Sequence, residues 1–452
     1  MDLGGPRSRR LRSGTGPVTA GRREMTVTPG RSEEMAERAR APDVFDPWVY
    51  KRGIPHEEFA WLREHRPACW QDEHPVGDWP AGPGFWAVTR HADVVRVLKS
   101  PREFSSRLGA TQIRDPDPAD LPFIRRMMLN MDPPEHGRLR RIVSRAFTPR
   151  RVERFGDQVA ARARDLIDGV IGRGECDFAA EVTDEFPVAN LADLLGVPAS
   201  GRPLLLEWTN RIIGYQDPEH AGPLTDARAR PVNPRSPAAL ADMFGYARDL
   251  AAYKRAHPAD DVMTALATAG LADGELEMFF FLLSVAGNDT VRSGAPGAVL
   301  AFAEHPDQHC RLLEHPDLLD CAVEEALRWH PPVLSFRRTA AEDTEIAGQP
   351  VTAGDKVVVF HASANFDTAA FTAPMRFDIG RRPNPHVAFG DGPHVCLGAH
   401  FARMQVRALL AEALWRMRDL SLDGPPDRLV SNFINGVKHL PVRFSARGRG
   451  EA

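Results

Sequence analysis

Long apolar runs are missing from this chain. No stretch approaches the roughly 20 consecutive apolar residues of a membrane span. The strongest, Met278 to Gly287, is about half that length and suits a core helix. Cysteine is scarce: Cys69, Cys176, Cys310, Cys321 and Cys396 are the only five in 452 residues, with no C-x-x-C spacing. That pattern excludes a disulfide scaffold and suits a reducing cytoplasm. An excess of one charge is also lacking, since 57 Lys and Arg face 61 Asp and Glu for a net −4. Bulk nucleic-acid binding has no electrostatic footprint here. The first forty residues carry Arg7, Arg9, Arg10, Arg12, Arg22, Arg23 and Arg31 but no apolar h-region, so a secretory signal is not expected. Residues 1–40 therefore read as a disordered basic tail, or as an over-extended start with translation from Met25 or Met35. An arginine-rich organelle transit peptide is the alternative.

What is present is an ordinary globular composition, 43% hydrophobic and 26% charged. Helical patterns dominate from about Asp43: Pro55 to Glu64, His91 to Lys99, Gly137 to Phe147, Arg151 to Gly172 and Phe186 to Leu195. A long helix begins at Asp273-Gly-Glu-Leu-Glu, and another runs from about Ala399 to Leu420. Gly84 to Thr89 reads as a strand, Ser335 to Phe360 as short strands joined by turns, and Ser431 to Phe444 as a closing hairpin. Arg107 to Leu121 and Pro218 to Pro237 are irregular, and a long coil runs from Phe366 to Gly398. Neither a repeat nor a linker divides the pattern. One mainly α domain with a small β subdomain is expected over residues 41–446, with a tail at 447–452.

Cys396 stands in Phe389-Gly-Asp-Gly-Pro-His-Val-Cys-Leu-Gly398. Glycines at 390, 392 and 398 allow tight backbone wrapping and close approach of a flat ligand. Backbone N–H groups so gathered temper a metal-bound thiolate, as in a haem-thiolate centre. The ordinary alternative is a buried thiol acting as a small hydrophobe. Zinc is a weaker rival. His386, His394 and His400 are near in sequence, but one cysteine without a second cluster does not make the paired spacing of a four-ligand site.

Three further constellations precede that loop. Glu325-Ala-Leu-Arg328 places opposite charges at i, i+3 on one helix face, ahead of Pro331-Pro332. Arg376 offers a second guanidinium, so Glu325 held between Arg328 and Arg376 would lock the coil; a solvated surface pair is the common alternative. Ala286-Gly-Asn-Asp-Thr290 interrupts the apolar helix. Leu282, Leu283, Ala286, Gly287 and Thr290 share one face, an apolar wall with a gap and a hydroxyl, and Asp289 is placed to relay protons. The alternative is a core helix whose threonine bonds back to its own turn. His136 and Arg140 lie at i, i+4 and suit a clamp on ligand carboxylates, while Arg138, Arg141 and Arg145 form a basic face.

In this order, these signals resemble the cytochrome P450 superfamily of haem-thiolate monooxygenases, over roughly residues 43 to 446. The resemblance implies the P450 fold, with haem between the long central helix and the cysteine loop. It implies Cys396 as axial iron ligand; Ala286, Gly287, Phe389 and Gly398 against the haem; and His136, Arg140, Arg338 and His394 on its propionates. Asp289 and Thr290 would serve proton delivery, and Glu325, Arg328 and Arg376 the structural triad. Leu282, Leu283, Ala286, Val333 and Ile434 would line the substrate pocket.

The implied reaction inserts one atom of O2 into a C–H bond, with haem b as cofactor and electrons ultimately from NAD(P)H. A separate ferredoxin and ferredoxin reductase would deliver them, docking on Arg138, Arg141, Arg145, Arg403 and Arg407. A cytoplasmic monomer with a small apolar substrate and no membrane span is expected. Met131-Asp-Pro-Pro-Glu-His136, Ser335-Phe-Arg-Arg-Thr-Ala340, Asn384-Pro-His-Val-Ala-Phe389 and Asn435 to Arg443 are similar to the actinobacterial group that hydroxylates sterol side chains, methyl-branched lipids and terpenoids. Val291-Arg-Ser-Gly294 departs from that group, and Pro296 is expected to kink or shorten the helix. A secondary-metabolite tailoring oxidase acting on a polyketide- or peptide-like scaffold is the second enzymatic reading. A haem protein that only binds ligand is the non-enzymatic one.

Overall fold

The computed structural model describes residues 41–447 except 78, 214–216, 218, 220–235 and 273. The expectations for residues 1–40, for the end of the chain and for most of Pro218 to Pro237 lie outside the described residues. From Pro42 on, the chain clusters as one unit.

The helices used below are α1 (His56–His65), α2 (His91–Lys99), α3 (Glu135–Ser144), α4 (Gly156–Ile171), α5 (Glu185–Leu195), α6 (Arg202–Ile213), α7 (Ala241–Ala256), α8 (Glu275–Glu304), α9 (Leu319–Trp329) and α10 (Ala399–Arg416). Local chemistry explains their placement. In α2, Val94, Val97 and Leu98 bury one stripe, with Asp93 in the first turn and Arg96 and Lys99 in the last, matching the helix dipole. The 30-residue α8 opens on Glu275 and Glu277 and is buried along most of its length. It spans roughly 45 Å and packs against α5, α6, α7, α9 and α10. No helix among the described residues is long and apolar enough to cross a membrane.

A five-stranded sheet forms the β portion, in the order β1 (Ala68–Gln71), β2 (Phe85–Val88), β6 (Lys356–Phe360), β5 (Ser335–Ala340) and β3 (Phe104–Ser105). β6 is buried at every position, as its Val357-Val-Val-Phe360 run requires of a central strand. It pairs parallel to β2 and antiparallel to β5, with Arg338 opposite Val357.

Three expectations change. α8 is not shortened: Pro296 lies inside it, buried, and the helix continues to Glu304. Proline forfeits one backbone bond, but burial of the surrounding turns in the core outweighs that loss. The helix expected to reach Leu420 ends at Arg416, where Met417–Leu422 becomes a strand, β7. The closing hairpin is two separate ladders. Val437–His439 pairs with Asp427–Arg428, while Pro441–Ala446 pairs with β7 and with β4 (Glu175–Asp177). Those partners lie as far back as residue 175, so no local turn signal could reveal them.

Candidate active site

The Cys396 loop is shaped first by its glycines. Gly392 has φ +68°, and a Cβ there would meet the Leu98 carbonyl oxygen at 2.4 Å, at the end of α2. Only glycine satisfies both conditions. The Cys396 N–H donates to the Phe389 carbonyl at 2.9 Å, closing the loop. Cys396 is exposed, but its open side is the wall of an internal cavity, and protein atoms crowd it elsewhere. Burial raises the thiol above its ordinary range, opposed by the Gly398 N–H and by the charges of Arg140 and Arg403. A thiol so placed needs a metal to remain a thiolate.

Four cationic or imidazole side chains gather on the same cavity. His136, Arg140, Arg338 and His394 all line it. The His136 and His394 rings lie 4.0 Å apart, and His394 Nε2 is 3.3 Å from Ser106 Oγ. Burial, then neighbouring positive charge, brings His136 down to about 4 and His394 to about 2, so both are neutral near pH 7. Arg140 donates to the Val395 carbonyl at 2.5 Å. Arg338 is 4% exposed, donates to the Arg337 carbonyl at 2.8 Å, and has no ion pair among the described residues. Burial brings its guanidinium down to about 10, partly offset by Asp132. His136 Nε2 is buried without a hydrogen-bond partner.

The opposite wall is α8. Leu282, Leu283, Ala286, Gly287 and Thr290 line it, as does Val333 from the segment before β5. Two expectations are corrected here. A Cβ at Gly287 would meet Leu191 Cδ1 of α5 at 2.8 Å, so this glycine admits a packed leucine rather than leaving a gap. Ile434 is not part of the lining: it forms a bridge with Val333 and stands in a small cluster with Leu429 and Val333. The Thr290 hydroxyl donates back to the Ala286 carbonyl at 2.8 Å while its side chain faces the cavity. Asp289 is 5% exposed, its Oδ2 has no partner, and burial pushes its carboxyl up to about 7.

Glu325 and Arg328 are fully buried, each at 0% exposure. The pair is bidentate, Arg328 Nε to Oε2 at 2.7 Å and Nη2 to Oε1 at 2.8 Å. Arg328 also donates to the carbonyls of Asn365, Pro374 and Arg376. The second guanidinium is Arg381, not Arg376. Arg381 Nε lies 3.0 Å from Glu325 Oε2, and its Nη atoms bond the carbonyls of Thr372, Ala373 and Arg376. Asn384 completes the carboxylate's shell at 3.2 Å. Arg376 takes part only through its backbone oxygen. The coil has no periodicity, so nothing in the order of residues 376 to 382 distinguishes its arginines.

The neighbouring Glu324 binds Arg403 at 2.6 Å and His386 at 3.1 Å. Burial works to raise this carboxyl, but hydrogen bonds from His386 and Arg403 outweigh it and bring it to about 2. His386 is thereby committed elsewhere than to a metal at Cys396. Among the described residues, the one grouping of three metal-capable side chains is Glu219, Asp427 and His439, which excludes Cys396 and holds the Lys438 ammonium instead.

A thiol on one wall, two cations and two neutral imidazoles at the edge, and an apolar face opposite fit an iron porphyrin with carboxylate arms. Gly398 adds to the fit, since a Cβ there would meet no atom within 4 Å at the cavity wall. Cys396 would hold the iron, and Arg140, Arg338, His136 and His394 the carboxylates.

These observations define a haem-thiolate enzyme, and the chain belongs to the cytochrome P450 family. Residues 310–435 match the family model "Cytochrome P450". The chain is 39% identical over 416 residues to a steroid C26-monooxygenase of Mycobacterium tuberculosis, covering 90% of this chain and 93% of that one. It is 36% identical over 410 residues to a methyl-branched lipid omega-hydroxylase of Mycobacterium bovis, covering 88% and 93%. Among solved structures, a Mycobacterium marinum cytochrome P450 in complex with pseudoionone superposes with a TM-score of 0.78 at 38% identity, covering 88% and 96%. The protein is a monooxygenase that uses haem b, O2 and electrons from reduced pyridine nucleotide.

Proposed function

We propose that this monooxygenase hydroxylates an apolar terpenoid, steroid or methyl-branched lipid. The observation that carries the reading is the wall opposite Cys396. Met128, Leu129, Phe279, Leu282, Leu283 and Val333 line the cavity together with Thr290, offering a substrate dispersion contacts and almost no hydrogen bonds. The steroid and branched-lipid activities named for the relatives support the same class.

Held by Cys396, a bound haem would supply the O2-activating chemistry by which one oxygen atom enters a C–H bond and the other leaves as water. The chain's own residues hold and supply around it. Cys396 would give the iron an electron-rich ligand, tempered by the Gly398 N–H and by Arg140 and Arg403. The Thr290 hydroxyl lines the cavity with its proton donated to the Ala286 carbonyl and its lone pairs free to accept. Asp289, the buried residue before it, has its carboxyl pushed up to about 7 by burial and so can hold a proton at working pH.

Electrons come in this reading from a separate ferredoxin and its reductase. Of the five arginines considered for docking, Arg138, Arg403 and Arg407 are engaged by Glu275, Glu324 and Asp320. Arg141 and Arg145 are exposed and without an ion pair among the described residues, so they form the basic patch for an acidic donor.

Optical titration of the ferric enzyme tests the substrate class. Terpenes, sterols and branched lipids should displace water from iron and give the low-to-high-spin shift. A shift with macrocyclic polyketides or peptides alone would replace this reading with that of a tailoring oxidase. No shift with any class, joined to no NAD(P)H-driven product, would leave a ligand-binding haem protein.

A further inference from the structure

Three elements converge on one guanidinium beside the proton-bearing turn of α8. Arg292 Nε donates to Asp184 Oδ1 at 2.7 Å, at the head of α5. Its Nη1 donates to Asn210 Oδ1 at 2.5 Å, on α6. The same Nη1 lies 3.9 Å from Asp289 Oδ1, one turn back along α8. One cation therefore stands between two carboxylates, and its good hydrogen bonds go to Asp184 and Asn210. Asp289 receives only a long approach, and its second oxygen has no partner.

We propose that Arg292 is a positioning residue for proton delivery, dividing its guanidinium among Asp184, Asn210 and Asp289 and so coupling the placement of α6 to the charge of Asp289. The inference rests on the monooxygenase reading. While Asn210 holds Nη1, Asp289 lacks a close counter-charge and keeps its proton. A shift of α6 that withdraws Asn210 frees Nη1 to close on Asp289, which favours the carboxylate. The proton then passes inward on the Thr290 side, and a solvent proton restores the acid by way of the half-exposed Asp184 region; no electron moves in this step. The charged groups acting on Asp289 are Arg292 on its own helix and Asp184 ahead of α5. From α6 the facing group is the neutral Asn210 amide.

The test measures two pH midpoints in the substrate-bound ferric holoenzyme and during turnover. The first is the infrared band of the protonated Asp289 carboxyl, assigned by its loss in Asp289→Asn. The second is product formed per NAD(P)H consumed. Arg292→Gln removes the nearby cation and should move both midpoints up by about one pH unit. Asp184→Asn removes a competing anion and should move them down by a similar amount. Asn210→Leu should also move them down, by less, since Nη1 is released. Arg292→Lys should stay near wild type, and Asp184→Asn and Asn210→Leu carry the test alone if Arg292→Gln does not fold. Unshifted midpoints in Asp184→Asn and Asn210→Leu, or shifts of one sign in every variant, would overturn the proposal. The thiolate-ligated Soret band of the reduced carbon-monoxide complex is recorded for each protein. Its absence from the wild type would defeat the haem-thiolate reading itself, a separate failure.

Discussion

The Glu325 lock behind the Cys396 loop and the middle of α8 treat their polar groups in opposite ways. Behind the Cys396 loop, Glu325 accepts from Arg328, Arg381, Asn384 and the Asp378 N–H, and Arg328 reaches three further carbonyls. On α8, Ser284 Oγ, both polar atoms of the Asn288 side chain and Asp289 Oδ2 are buried without a protein partner. A satisfied buried network holds one arrangement, because any displacement leaves a charge unpaired at a cost of several kcal/mol. An unsatisfied one keeps groups available for water, protons or ligand. The lock behind the Cys396 loop is thus built to stay, and the α8 turn beside Thr290 is built to exchange. The two shifted carboxylates follow the same division: Glu324 is held down to about 2 by its partners, whereas Asp289 is pushed up to about 7 by burial.

The largest expected break in that contrast is Cys396→Ser, which should abolish the thiolate Soret signature of the reduced carbon-monoxide complex; survival of the signature would remove Cys396 as ligand. Next comes the lock. Glu325→Gln leaves two guanidinium groups without their carboxylate and should cost about 3–5 kcal/mol, seen as loss of haem and a lower unfolding midpoint. Arg381→Ala should follow it in direction, while Arg376→Ala should leave the unfolding midpoint nearly unchanged. The reverse order would restore Arg376 to the triad.

On α8, Thr290→Ala removes a hydroxyl bonded only to its own turn. Stability should stay within about 1 kcal/mol, whereas product formation should fall on the order of 10²-fold with peroxide released instead. Unchanged coupling would take Thr290 out of the mechanism. The smallest effects are on stability against pH. Asp289 rises on folding from 3.8 to about 7, so its contribution is full below 3.8 and is lost as pH climbs through about 7. Glu324 falls from 4.5 to about 2, so its contribution is present above 4.5 and is lost as pH drops through about 2. Asp289→Asn should flatten the neutral limb of the denaturation profile and Glu324→Gln the acid limb. A common effect on one limb would show that the two regions are not independent.

Much of the molecule is legible in the order of its residues. The pattern places His91–Lys99 at its observed bounds, and α5, β2, the start of α8 and the outer ends of β5 and β6 within a few residues, because each carries its own period or its own end signals. The strands after Arg416 are not so placed, since their partners are distant. The site divided in the same manner. Cys396, Thr290 and the Glu325–Arg328 spacing announce themselves as local motifs. Arg381 sits in aperiodic coil, and Ile434 bridges Val333, a partner about a hundred residues away that no local pattern reveals. Arg292 and its partners Asp184 and Asn210 are separated by some eighty to one hundred residues, so no spacing links them.

By itself, then, the order of residues determined the chemistry: a thiol in a glycine-wrapped loop, an acid and a hydroxyl on a long helix, and a charge pair on another. Short-range geometry is enough for that, because helix and turn periodicities set which neighbours can meet. Only the tertiary structure decided which arginine completes the lock, that Gly287 admits Leu191, and that one guanidinium is shared among three helical elements. Those outcomes depend on burial and on distances between segments remote in the chain, which local pattern does not encode.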